Sequence, residues 1–93
     1  MGEHAVRARI EGKVQNVWYR AWTTGAATER GLRGWVRNRK DGSVEALFIG
    51  PKPTVDAMIE ACRTGPPAAR VARIAVDAAE DDGSQGFRQL PTA

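Results

Sequence analysis

GWVRNRKDGSVEALFI, residues 34–49, reads as two short strands and the tight turn that joins them. Residues 34–39 and 43–49 are strand-like, and Lys40-Asp41-Gly42 separates them. Asp-Gly between two such runs predicts a hairpin, because glycine takes a positive φ without a Cβ clash. Upstream, residues 19–30 suit a helix with Tyr19, Trp22, Thr23, Ala26 and Ala27 along one side and Gly31 as its stop. Before that helix, AVRARIE at 5–11 alternates, so that Val6, Ala8 and Ile10 share the buried face of a strand. Residues 12–18 (GKVQNVW) form the loop between them. Downstream, Val55, Met58, Ile59 and Cys62 fall at i, i+3, i+4 and i+7, an apolar helical stripe that Gly65-Pro66-Pro67 ends. RVARIAVDAA at 70–79 is a further strand, with Val71, Ile74 and Val76 as its core candidates. Residues 80–86 are polar and turn-like, Asp81 and Asp82 are expected to point into solvent, and FRQL at 87–90 offers a short last strand.

The resulting order, β-α-β-β-α-β, predicts an α+β fold: a ferredoxin-like sandwich with two helices on one face of an antiparallel four- to five-stranded sheet. No repeat, linker or low-complexity tract divides residues 1–93, so a single domain is expected. Many unrelated activities use this architecture, and the order of elements names none of them.

Composition narrows the field mainly by exclusion. Apolar residues at 42% and charged residues at 27% are ordinary globular values. One cysteine, Cys62, and one histidine, His4, leave no Cys/His cluster with metal spacing, so neither a metal nor a cofactor is expected. Cys62 is not followed by the arginine of a Cys-x5-Arg phosphatase loop, since Ala68 stands there, and no G-x-x-x-x-G-K-[ST] loop occurs. His4 is a surface residue by expectation, without a partner to make it a general base. The charged N-terminus lacks the apolar core of a secretory signal, and no run approaches the roughly 18 apolar residues of a membrane span. A cytoplasmic, soluble chain without membrane contact is therefore expected. The formal net charge of +3, dominated by arginine, favours anionic partners in general.

One segment concentrates the chemistry. Gly12-Lys13-Val14-Gln15-Asn16-Val17-Trp18-Tyr19-Arg20 leaves a strand and enters a helix. The start of a helix presents unpaired backbone N–H groups and the positive end of its dipole, an arrangement suited to phosphate. Arg20, just inside the first turn, adds a fixed charge with forked donors.

The same segment resembles the phosphate loop of the acylphosphatase family, G-x-V-Q-G-V-x-[Phe/Tyr]-R. Gly12, Val14, Gln15, Val17, Tyr19 and Arg20 match it in register. The resemblance continues through Gly34-Trp35-Val36-Arg37-Asn38 and Asp41-Gly42-Ser43-Val44-Glu45, then Gly65-Pro66-Pro67-Ala68, Val71 and Gly86-Phe87. It covers nearly the whole chain. Two departures stand out: Asn16 where the family has glycine, and Arg30 in place of an aliphatic residue that packs the first helix on the sheet.

The resemblance implies hydrolysis of an acyl phosphate to a carboxylate and inorganic phosphate. It gives the catalytic roles to Arg20, which holds the phosphate, and to Asn38, which orients the attacking water. The phosphate would lie in the backbone cradle of Gln15, Asn16, Val17, Trp18, Tyr19 and Arg20. An amide offers a donor and an acceptor, which suits alignment of a neutral water. Phosphoryl transfer asks mainly for positioning and charge stabilisation. Inorganic phosphate is then both product and inhibitor, and a monomer is expected. Trp35 reads as core rather than site, and Lys13 as a solvated flank. The competing class is a binding module without turnover, for anions or nucleic acid. The RNA-recognition motif shares the element order but stacks bases on aromatics of its central strands. Here the first strand has none, the third only Phe48, and the RNP1 run is missing, so no nucleic-acid partner is expected.

Overall fold

The computed structural model describes residues 3–93. Strands β1 (His4–Lys13), β2 (Arg33–Asn38), β3 (Val44–Gly50), β4 (Arg70–Ala78) and β5 (Phe87–Gln89) are interrupted by helices α1 (Tyr19–Glu29) and α2 (Lys52–Cys62). The strands form one sheet in the order β4-β1-β3-β2-β5. The three long pairings, β1 with β4, β1 with β3 and β2 with β3, are antiparallel as the order of elements predicts. The fifth strand departs from that expectation: β5 runs parallel to β2 and makes the sheet mixed.

Period-two alternation sorts the side chains between the two faces of the sheet. Val6, Ala8 and Ile10 of β1, Val36 of β2 and Val44, Ala46 and Phe48 of β3 are buried beneath the helices. The helices bring matching stripes: Tyr19, Thr23, Ala26 and Ala27 on α1, and Val55, Met58, Ile59 and Cys62 on α2. Helix α1 lies over β2 and β5, and α2 over β1 and β3. Phe48 stacks on Phe87 within this core at 5.6 Å, so it is not displayed on the open face of the sheet as a base-stacking residue would be. The phenol of Tyr19 donates to the carbonyl of Cys62 at 2.5 Å and joins the two helices inside the core. Gly65, at φ +63°, lies against the Tyr19 ring, where an added Cβ would come within 2.5 Å of Cε2.

The open face is less bare than the polar reading of residues 80–86 implies. After β4 the chain turns back over it: Ala79 N–H donates to Ala5 O, Arg33 pairs with Asp81, and Trp35 Nε1 donates to Asp82 at 3.1 Å. Asp81 and Asp82 are exposed, as expected, and their carboxylates also hold this return segment to the sheet. Beneath it Ala5, Leu47 and Ile49 are buried with Trp35 and Ala79 packed against them. This explains why ALFI at 46–49 is apolar without a break: both of its faces are covered. Trp35 belongs to this smaller cluster and not to the core under the helices, because its neighbour Val36 takes the inward position. Val76, expected in the core, is exposed; β4 is an edge strand, and α2 covers β1 and β3 but does not extend over it. Arg30 is also exposed, just beyond α1, where it donates to Ala26 O. Among the described residues no helix is long and apolar enough to cross a membrane.

Candidate active site

Strands β1 and β2 both run antiparallel to β3 and hence parallel to one another. Their C-terminal ends emerge at the same edge of the sheet. Ile10 and Asn38 are both opposite Val44, which puts the loop after β1 beside the last residue of β2. The fold thus places side by side two segments that are eighteen positions apart at Arg20 and Asn38.

Glycine begins the loop. The pairing of β1 with β4 slips between Glu11 and Gly12, and Gly12 stands at φ +128° with its α-carbon against the Arg70 carbonyl, where a Cβ would collide. This bulge turns the strand toward the helix. Val14 and Val17 then sink into the core. Between and after them Asn16, at φ 61°, and Trp18, at φ 66°, adopt the left-handed conformation. Glycine normally fills such positions, and asparagine is among the few other residues that enter them readily. Trp18 caps α1, and the first helical bond runs from Trp22 N–H to Trp18 O. Among the described residues, the backbone N–H groups of Asn16 to Ala21 have no partner within the protein. They form a row of donors at the positive end of α1.

The loop is fastened from both sides. Gln15 Nε2 donates to Arg39 O and to Ser43 O, each at 2.8 Å, which ties it to the β2–β3 hairpin. Tyr19 anchors the other end through Cys62 O. Burial raises the phenol of Tyr19 above its ordinary range and pushes the Cys62 thiol up to about 12, so neither supplies an anionic nucleophile near neutral pH.

Above the loop is a cleft of about 420 Å³ lined by Val14, Asn16, Trp18, Tyr19, Arg20, Ala21, Asn38 and Gln89. Of the residues named from sequence, Asn16, Trp18, Tyr19, Arg20 and Asn38 meet here. The side chains of Gln15 and Val17 do not: one is the strap to the hairpin and the other is core. Sequence reading missed Ala21 and Gln89. Ala21 follows from helical geometry once Arg20 is placed, whereas Gln89 arrives only through the parallel pairing of β5 with β2.

Two features make the cleft chemically unusual. Arg20 forms no ion pair among the described residues, although most of the other arginines are paired or hydrogen-bonded. Asn38 holds its backbone firmly, accepting from Ala93 N–H at 3.0 Å, yet its side-chain Oδ1 is buried without a hydrogen-bond partner among the described residues. Buried acceptors are nearly always satisfied, and one left open beside an unpaired guanidinium and a row of free N–H groups points to a polar ligand. Among the described residues no cluster of His, Cys, Asp or Glu could hold a metal ion.

The fold is a ferredoxin-like α+β sandwich, with a strand-to-helix loop of free backbone donors facing an asparagine. Residues 6–89 match the family model for acylphosphatase. The chain is 56% identical over 84 residues to an acylphosphatase of Rhodospirillum rubrum, covering 90% of this chain and 92% of the relative. It is 54% identical over 88 residues to one of Rhizorhabdus wittichii, covering 95% and 89%. The solved acylphosphatase of Coxiella burnetii superposes with a TM-score of 0.91 at 29% identity, covering 96% of this chain and 94% of that one. The chain belongs to the acylphosphatase family, and so to the hydrolases.

Proposed function

We propose that this chain hydrolyses acyl phosphates, with Arg20 and the loop N–H groups holding the phosphoryl group and Asn38 orienting the water. The observation that carries this reading is the open, buried Oδ1 of Asn38 in the cleft it shares with Arg20. A carbonyl oxygen in that position accepts one hydrogen of a water and sets its lone pair toward the phosphorus. The water oxygen forms a bond to phosphorus as the bond from phosphorus to the acyl oxygen breaks. The acyl group leaves as a carboxylate with the bonding electrons, and the proton of the water passes to a phosphate oxygen. An acyl phosphate is a mixed anhydride with a good leaving group, so no strong base is required. Catalysis then rests on alignment and on stabilising the charge of the phosphoryl oxygens, which the guanidinium and backbone donors supply. The products are a carboxylate and inorganic phosphate.

The same reading makes the enzyme a cytoplasmic monomer that works without a metal, a nucleic acid or a membrane. Purified protein should hydrolyse benzoyl phosphate with full activity in EDTA, and inorganic phosphate should inhibit competitively. Activity lost in EDTA and restored by magnesium would sink the metal-independent mechanism. Failure of millimolar phosphate to compete would remove the loop from the phosphate site.

A further inference from the structure

Trp18 is 81% exposed, a large apolar side chain standing in solvent at the rim of the cleft. Among the described residues its indole makes no hydrogen bond and no aromatic contact; the ring beside Tyr19 is that of Trp22. Its backbone is held at φ 66°, a conformation that disfavours a bulky residue. The position therefore carries strain that no packing offsets. The cleft volume of about 420 Å³ lies within the range of roughly 300–1,000 Å³ typical of small-molecule sites, more than one phosphoryl group fills. Arg20 and the loop donors account for the phosphate end. The methyl of Ala21 and the indole face of Trp18 are the exposed apolar surface that the rim offers to the rest of the substrate, beside the polar side chains of Asn16 and Gln89.

We propose that Trp18 is the platform for the acyl portion, and that the preferred substrates are acyl phosphates whose acyl group is aromatic or otherwise flat and apolar. The proposal rests on the acyl-phosphatase reading and adds the substrate class to it. An aromatic ring stacked on the indole gains contact area and an offset-stacked geometry, and a methyl group gains little of either. Trp18 in this role acts on specificity and not on the reacting atoms. Because its side chain contributes nothing to the core, it can be replaced without loss of the fold.

The test compares benzoyl phosphate with acetyl phosphate in the unchanged protein and in Trp18→Ala and Trp18→Phe. The ratio of kcat/KM for the two substrates should favour benzoyl phosphate and fall about tenfold in Trp18→Ala, mainly through KM, as expected for a lost aromatic pair. Trp18→Phe should keep most of the preference. A ratio that does not move, or equal losses for both substrates in Trp18→Ala, overturns the platform and makes Trp18 a determinant of loop shape alone. Calorimetry with benzoylphosphonate and acetylphosphonate, which cannot be hydrolysed, separates this inference from the one beneath it. If neither acyl phosphate turns over, the hydrolytic reading fails; the platform still stands if Trp18→Ala weakens benzoylphosphonate selectively, and falls if it does not.

Discussion

Asn38 is where stability and catalysis should part. Its Oδ1 is buried and unpartnered, so removing it costs the folded state no hydrogen bond. Asn38→Ala should leave the unfolding free energy unchanged or raise it by about 1 kcal/mol, since a buried unsatisfied acceptor is itself unfavourable. The same substitution should lower kcat by about 10² or more, the usual effect of losing a preorganised polar contact. The inhibition constant of phosphate should hardly move. A large loss of stability would make the residue structural, and equal losses in kcat and phosphate affinity would place it in the cradle. Arg20 should behave in the opposite way: Arg20→Ala loses phosphate affinity and turnover together, and Arg20→Lys recovers little because an ammonium lacks the planar fork. Asn16, at φ 61°, is in a conformation that glycine enters more easily. Asn16→Gly should keep or raise phosphate affinity, measured by calorimetry; weaker binding would mean that the asparagine side chain itself contacts the anion.

At the scale of elements, the site depends on two segments being held at a fixed separation. The loop after β1 carries the donors, and the β2–β3 hairpin carries Asn38. Gln15 is the direct link between them, a single amide donating to two hairpin carbonyls at 2.8 Å. Gln15→Ala leaves both carbonyls without that donor in a partly buried setting, and should cost about 1–2 kcal/mol. It should also lower kcat more than phosphate affinity, because the phosphate stays with the loop while the asparagine moves with the hairpin. Denaturant unfolding and single-turnover kinetics check the two halves of this expectation. An unaltered kcat would show that the hairpin is positioned by sheet pairing alone.

For the molecule as a whole, the return segment over the open face introduces a dependence on acid. Asp81 and Asp82 are held below the usual carboxylate range, chiefly by Arg33 for the first and by Ser84 for the second, and Asp41 by Ser43 in the hairpin turn. A carboxyl group with a lowered pKa in the folded state favours folding above its unfolded value, about 3.9 for aspartate. That contribution is complete above this value and disappears as pH falls through the folded pKa. Tm should therefore be flat toward neutral pH and decline below about pH 4. The double variant Asp81→Asn, Asp82→Asn should show a shallower decline. These groups are exposed, so added salt should reduce the effect of the Asp81–Arg33 pair. A Tm with no acid limb in the unchanged protein would show that the return segment is held by its apolar contacts and backbone bonds.

The chain itself determined whatever depends on neighbours in sequence. Alternation in residues 5–11, the stripe from Val55 to Cys62 and the Asp41-Gly42 turn are local patterns, and each element formed where its pattern lies. The ends moved by a residue or two; β1 runs on to Lys13 because Gly12 is accommodated as a bulge within the pairing. The loop and Asn38 were legible as motifs, as was the family they belong to. Tertiary structure alone decided which side of the sheet Trp35 occupies, how little of Val76 is covered, and that β5 lies parallel to β2 and brings Gln89 to the cleft. It also decided that Gln15 is a strap, that Asn38 keeps an open acceptor and that Trp18 stands in solvent. A periodic pattern tells which residues share a face, but not what the rest of the chain lays upon that face. Burial, hydrogen-bond satisfaction and exposure are properties of that covering, and they arise from pairings between residues far apart in sequence.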